Sequence, residues 1–172
     1  MSAVAAHLEE IEVGSTFQTS RRTVTEADIV AFAGVSGDFN PLHVDEVFAR
    51  EQTPFGGRIA HGPLVLSMSY GMRSVRDEWK ILALASCERR FRAPVFPGDT
   101  VWGAYEVLER RASRSRPGVG FVTLGVSIHS DRGDVVQEGR DVLMVASRGG
   151  ERPQGHGLDG ARDEAAPSAA EG

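Results

Sequence analysis

Apolar and polar positions change rhythm along this chain. Thr25-Glu26-Ala27-Asp28 is a capping-type helix start, Ile29, Phe32 and Ala33 then recur at helical spacing, and Gly34 and Gly37 mark the stop. Val44 to Arg50 reads as a further helical turn anchored by Val47 and Phe48. From Leu64 to Val75 the apolar side chains fall nearly all round, which predicts a helix buried on most of its surface. Pro63 suits the first position of that helix and Gly62 its N-cap, with an amide N–H left free at the positive end of the helix dipole. Beyond it the rhythm is that of strands. Ile81–Arg92, Thr100–Arg110, Val119–Ser130 and Val135–Ala146 are strand-length runs rich in Val, Leu, Ile and aromatics, separated by turn signals. Phe17–Val24 adds a shorter strand ahead of them. One buried helix followed by a four-strand meander predicts an α+β fold, an antiparallel sheet of about five strands wrapped around the helix.

At 172 residues the chain reads as a single domain over 14–147, with a loose lead-in over 1–13 and a tail over 148–172. In that tail the sole sizeable apolar side chain is Leu158, which predicts disorder. Cys87 is the single cysteine, so no intramolecular disulfide can form and a reducing, cytoplasmic setting is expected. No apolar run approaches the roughly 18 residues of a membrane span, and Met1 to Ile11 lacks the apolar stretch of a signal peptide. The net charge of −5 gives no electrostatic case for nucleic acid.

The chemistry concentrates in Ser36-Gly37-Asp38-Phe39-Asn40-Pro41-Leu42-His43. On a continuous helix Asp38 and His43 would lie about 140° apart and could not share a face. Pro41 forbids that helix, because it fixes its own φ and pushes Asn40 into an extended conformation. The resulting bend can aim a carboxylate and an imidazole into one cleft, the arrangement that general acid–base chemistry needs. The alternative is a plain Asx-type turn with His43 as a bystander.

These residues carry a family resemblance. Phe32 to Asp45, reading FAGVSGDFNPLHVD, resembles the hydratase motif of MaoC-like, (R)-specific enoyl-CoA hydratases. Ile59-Ala60-His61-Gly62 resembles the second signature of that family, and Phe91 to Asp99 the strand and turn that follow. The resemblance implies a hotdog fold. It also implies syn hydration of a trans-2-enoyl thioester to an (R)-3-hydroxyacyl thioester, or the reverse. Carried over, Asp38 and His43 are the catalytic pair and the Gly62 amide polarises the thioester carbonyl. Asn40 holds the turn. Read from the residues themselves, Pro41 supports that turn, and His61 is a helix-entry residue packed against the sheet, with a catalytic role as the alternative. No metal or redox cofactor is implied. The substrate is an acyl-CoA or acyl-carrier-protein thioester, and the single set of motifs implies a homodimer or higher homo-oligomer.

Phe39 and Tyr70 are candidates for binding substrate, Tyr70 either by filling the acyl pocket or by supplying a hydroxyl. Tyr70 stands near the place where the family often has a serine, with Ser67 and Ser69 close by. Arg90 and Arg92 share a strand face and could receive the phosphates of coenzyme A, or could form a solvated face. Asp38, His43, Asp45 and His61 match no tight metal-ligand spacing. Two other readings remain: a hotdog thioesterase, against which the helix after Gly62 offers no Asp or Glu, and a catalytically idle acyl-binding subunit, which the intact Asp38 and His43 disfavour.

Overall fold

The computed structural model describes residues 5–148; the expectation for the tail from residue 149 onward lies outside them. Four long strands carry the sheet: β3 (Ile81–Phe91), β4 (Thr100–Ala112), β5 (Val119–Ser130) and β6 (Val135–Ala146). The short β1 (Thr16–Gln18) and β2 (Arg22–Thr23) both pair with β4, and the order is β1-β4-β5-β6-β3, antiparallel throughout. The helices are α1 (Glu26–Ser36), α2 (Pro41–Val44), α3 (Glu46–Gln52) and α4 (Gly62–Gly71).

The expected first strand over Phe17–Val24 is split in two. At the break the Thr19 N–H still donates to Gly103 O, but the Gly103 N–H returns to the Thr19 hydroxyl rather than to a carbonyl, both at 2.9 Å. Ser20 N then donates to Arg73 O at 2.7 Å, so the chain leaves the β4 ladder for the segment after α4. The first thirteen residues, expected to be loose, contribute Leu8 and Ile11 to the core. Arg110 fastens them by donating to the carbonyls of Leu8 and Ile11 at 3.3 and 3.1 Å.

α4 is the centre of the molecule. Its Leu64, Val65 and Met68 lie in one cluster with Val101, Val107, Leu124, Ile128 and Leu143 of the sheet. The even residues of β5, from Val122 to Ile128, alternate inward as a half-buried strand requires. α4 begins one residue earlier than its sequence suggests. The N–H groups of Leu64 and Val65 both donate to His61 O, at 3.0 and 3.3 Å, so His61 is the N-cap and Gly62 and Pro63 are the first two helical residues. Gly62 keeps an N–H without an intrahelical partner either way.

The outer edge of β3 is unpaired among the described residues, and Leu82, Leu84 and Phe91 on that strand are exposed. No helix among the described residues is long and apolar enough to cross a membrane.

Candidate active site

The Asp38–His43 turn is held by short-range bonds of the kind that Asn, Asp and Ser side chains favour. Gly37 ends α1 with φ 75°, a left-handed conformation that suits glycine. Asp38 N donates to Ser36 Oγ at 3.2 Å, and Asn40 N donates to Asp38 Oδ1 at 3.1 Å. Asn40 has the extended ψ of 132° that Pro41 demands, and its Oδ1 caps α2 by accepting from Leu42 N at 3.0 Å. Pro41 opens α2, and His43 lies one helical turn inside it. Asp45 then caps α3 by accepting from Phe48 N.

This geometry brings the predicted pair together. His43 Nε2 and Asp38 Oδ2 are 3.9 Å apart. His43 is buried, whereas the Asp38 side chain is 51% exposed. The tautomer of His43 follows from its other nitrogen. Nδ1 lies 2.7 Å from Ile59 O, and a carbonyl oxygen can only accept, so Nδ1 carries a proton, and in the neutral ring Nε2 presents a lone pair toward Asp38.

His61 completes the cluster. Its Nε2 donates to the backbone carbonyl of Asp38 at 2.9 Å, and its ring stacks on that of His43 with centroids 3.8 Å apart and planes 27° apart. His61 is fully buried, and its Nδ1 has no partner among the described residues. Asp38, His43 and His61 place one donor atom each within 4.8 Å of one another, the one such group among the described residues that could hold a cation. Two of its imidazole nitrogens are already committed as N–H donors to carbonyls.

His43 and Gly62 both line a cavity of about 360 Å³ whose walls are largely apolar, with Phe55, Ile59, Val65, Phe91 and Val136 among them. No acceptor for the Gly62 N–H is found among the described residues. The Phe91 ring lies so close that a Cβ at Gly62 would meet it at 2.6 Å, so the position tolerates only glycine while that ring stays put. A free amide at a helix N-terminus, beside an apolar cavity and an acid/base pair, can stabilise an oxygen that gains negative charge.

The other predicted residues divide. Arg92 lines the cavity and pairs with Glu138 at 2.6 Å. Arg90 sits opposite Glu138 on the face of the sheet turned away from α4, beside a different hollow. The two arginines therefore flank one glutamate but line different hollows. Phe39 is exposed and outside the cavity lining.

Tyr70 is not delivered to the cavity. Its hydroxyl donates to Asp141 Oδ1 at 2.9 Å, and Asp141 also pairs with Arg89 at 2.8 Å. Burial first, then a hydrogen bond with Cys87 and the Asp141 charge, push the Tyr70 hydroxyl well above its usual range, so it stays protonated. Burial opposes the Arg89 charge, but the bond and charge of Asp141 outweigh it and hold the guanidinium above its usual range.

Two contributors were not evident from sequence. Gln137, buried on β6, donates from Nε2 to Gly62 O at 2.9 Å and lines the cavity. Its signal is a polar residue on the inward phase of a strand, shared with Asp141 four residues on. The carbonyl of Ile59, which orients His43, has no side-chain signal at all.

Residues 9–128 match the family described as MaoC like domain. The chain belongs to the MaoC-like family. It is 34% identical to an (R)-specific enoyl-CoA hydratase of Rhodospirillum rubrum over 143 residues, 83% of this chain and 94% of that protein. It is 42% identical over 96 residues to Protein MaoC of Klebsiella aerogenes, covering 55% of this chain but 28% of that longer relative. The crystal structure of a MaoC-like dehydratase from Rhodospirillum rubrum superposes with a TM-score of 0.71 at 30% identity, over 83% of this chain and 98% of that one. The fold of this MaoC-like chain is accordingly the α+β hotdog, the sheet being the bun around α4.

Proposed function

We propose that this MaoC-like protein is a hydro-lyase that adds water across trans-2-enoyl thioesters to give (R)-3-hydroxyacyl thioesters, or runs the reverse dehydration. The observation that carries the reading is the meeting of His43 and the free Gly62 N–H in the wall of one apolar cavity, with the Asp38 carboxylate 3.9 Å behind His43 Nε2. A gap of 3.9 Å between Oδ2 and Nε2 is one that a water at about 2.8 Å from each atom can bridge. Both atoms face it with lone pairs. In hydration the water oxygen bonds to the β-carbon, the pair takes one of its protons, and the thioester oxygen gains charge against the Gly62 N–H. The pair then returns the proton to the α-carbon on the same face. The catalytic groups end as they began, so the proposed chemistry calls for no metal or redox cofactor.

The thioester is carried by coenzyme A or a carrier protein, and the cavity takes the acyl chain. A homodimer is part of this reading. β3 leaves an 11-residue edge open and exposes Leu82, Leu84 and Phe91 along it, a liability that a second copy would cover. Light scattering should give at least twice the 18.5 kDa of one chain; a fully active monomer would remove the dimer from the proposal.

The test of the reaction is loss of enoyl absorbance when crotonyl-CoA, or longer enoyl thioesters, are mixed with the protein. Asp38→Asn and His43→Ala should each stay folded and lose about two to four orders of magnitude in rate. The double variant should be little worse than either, because the two groups act as one unit. Near-native turnover in either single variant would overturn the assignment.

A further inference from the structure

We propose that His61 is a positioning residue that ties Asp38, one member of the acid/base pair, to the body of the protein; this rests on the hydratase reading above. Three observations converge on this one residue, two of them on its imidazole. Its Nε2–H donates to the carbonyl of Asp38 at 2.9 Å. Its ring face lies against His43 at 3.8 Å, with Phe32 at 5.1 Å. Its own backbone carbonyl accepts the opening hydrogen bonds of α4, whose first residue is Gly62.

The geometry shows why such a tether is needed. Asp38 lies in a stretch without regular structure between α1 and α2, after a left-handed Gly37. Its carboxylate is half exposed, and its bonds to Ser36 and Asn40 are all local. Those bonds shape the turn but do not fix it against the body of the protein. The bond from His61 does so, across 23 residues and from a fully buried side chain. The stacked ring also limits how far the His43 plane can tilt, while Ile59 O sets its rotation. His61 does not line the cavity, so it acts on the reaction through Asp38 and His43 and not by touching the acyl chain. A misplacement of about 1 Å in such a constellation can cost about a hundredfold in rate.

Two substitutions separate the donor from the ring. His61→Phe keeps a flat ring and deletes the N–H. His61→Gln places an amide N–H near the old Nε2 and deletes the ring. With enoyl-CoA as substrate, His61→Phe should lower kcat by about ten- to a hundredfold with KM within about twofold of native, and His61→Gln should recover most of that loss. In an Asp38→Asn background, His61→Phe should cost at most about twofold more, because the group it positions is already disabled. Equal losses in the two variants, full multiplication with Asp38→Asn, or a change confined to KM would each overturn the proposal. If His61→Phe does not fold, His61→Leu takes its place as the variant without the donor: a kcat well below that of His61→Gln supports the tether, and a kcat equal to or above it overturns the proposal. A native protein that hydrates no enoyl thioester would instead fail the reaction assignment, so the two failures are told apart.

Discussion

The two ends of α4 are built from similar materials to opposite effect. At the C-terminal end, Tyr70, Asp141 and Arg89 form a buried polar cluster closed around the Asp141 carboxylate, with Arg89 Nε left as its unpartnered atom among the described residues. Tyr70 and Arg89 bond the two carboxylate oxygens of Asp141, and Arg89 also donates to the carbonyls of Glu88 and Arg140. Nearby Arg76 donates to Ser69 O and lies over the Tyr105 ring at 4.3 Å. At the N-terminal end the polar groups are left open. The Gly62 N–H and His61 Nδ1 lack partners among the described residues, and His43 Nε2 meets Asp38 across 3.9 Å. Closed polar clusters serve stability and specificity; groups left open beside a cavity are available for a substrate. The difference locates the chemistry more sharply than residue type does, since both ends hold carboxylates and cations.

The largest effect expected from breaking this contrast is at the closed end. Asp141 is wholly buried, and Asp141→Ala strands Arg89 as an unpaired buried cation. Removing one partner of such a pair typically costs about 3–5 kcal/mol. Thermal or denaturant unfolding should show a loss of that order. The fraction that remains folded should still turn over within about threefold of native, since Asp141 does not touch the cavity. Tyr70→Phe should cost about 1 kcal/mol by the same measurement, the usual worth of one buried hydroxyl bond. A large activity loss in Tyr70→Phe with stability intact would reopen a substrate role for this tyrosine.

At the open end the expected loss is of rate. Gly62→Pro removes the N–H, and loss of one oxyanion donor typically costs about a hundred- to a thousandfold. Any Cβ here presses on Phe91, so Gly62→Ala is the control for crowding alone. The added Cβ of alanine and that of proline meet the same Phe91 ring, so crowding is common to both variants. Turnover of Gly62→Pro should therefore fall well below that of Gly62→Ala. If the two variants are equally impaired, crowding explains the loss and the donor role is wrong.

What could be read in advance follows the range of the interactions. The Asp38–His43 turn is made by bonds two residues apart and by Pro41, so its shape is written locally. The buried helix and the strands follow from periodicity. The start of α4 was displaced by one residue, because the choice between His61 and Gly62 as cap depends on which carbonyl the following amides reach. The contact of Tyr70 is not legible for a non-local reason: its partner Asp141 lies 71 residues away on β6. Gln137 was overlooked for the same reason, its bond to Gly62 spanning 75 residues. Where the chain must bring distant strands to α4, composition and spacing give no register.

Gln137 gives the smallest effect and the finest test of the contrast between the two ends. Its Nε2 donates to Gly62 O, an acceptor that the helix can also satisfy, and its own Oε1 has no partner among the described residues. Gln137→Leu therefore removes one modest bond and relieves one unpaired buried atom. Those terms oppose each other, so stability should change by less than about 1 kcal/mol in either direction. The amide nonetheless holds the peptide at which α4 begins, one residue from the N-cap His61. Releasing it should loosen the aim of the Gly62 N–H and lower kcat by about three- to tenfold, with little change in melting temperature. Tyr70→Phe should show the reverse, a lower melting temperature with turnover kept. Measured side by side, these two single-bond deletions separate the ends of the helix; if both move stability alone, the open end contributes no more to turnover than the closed one.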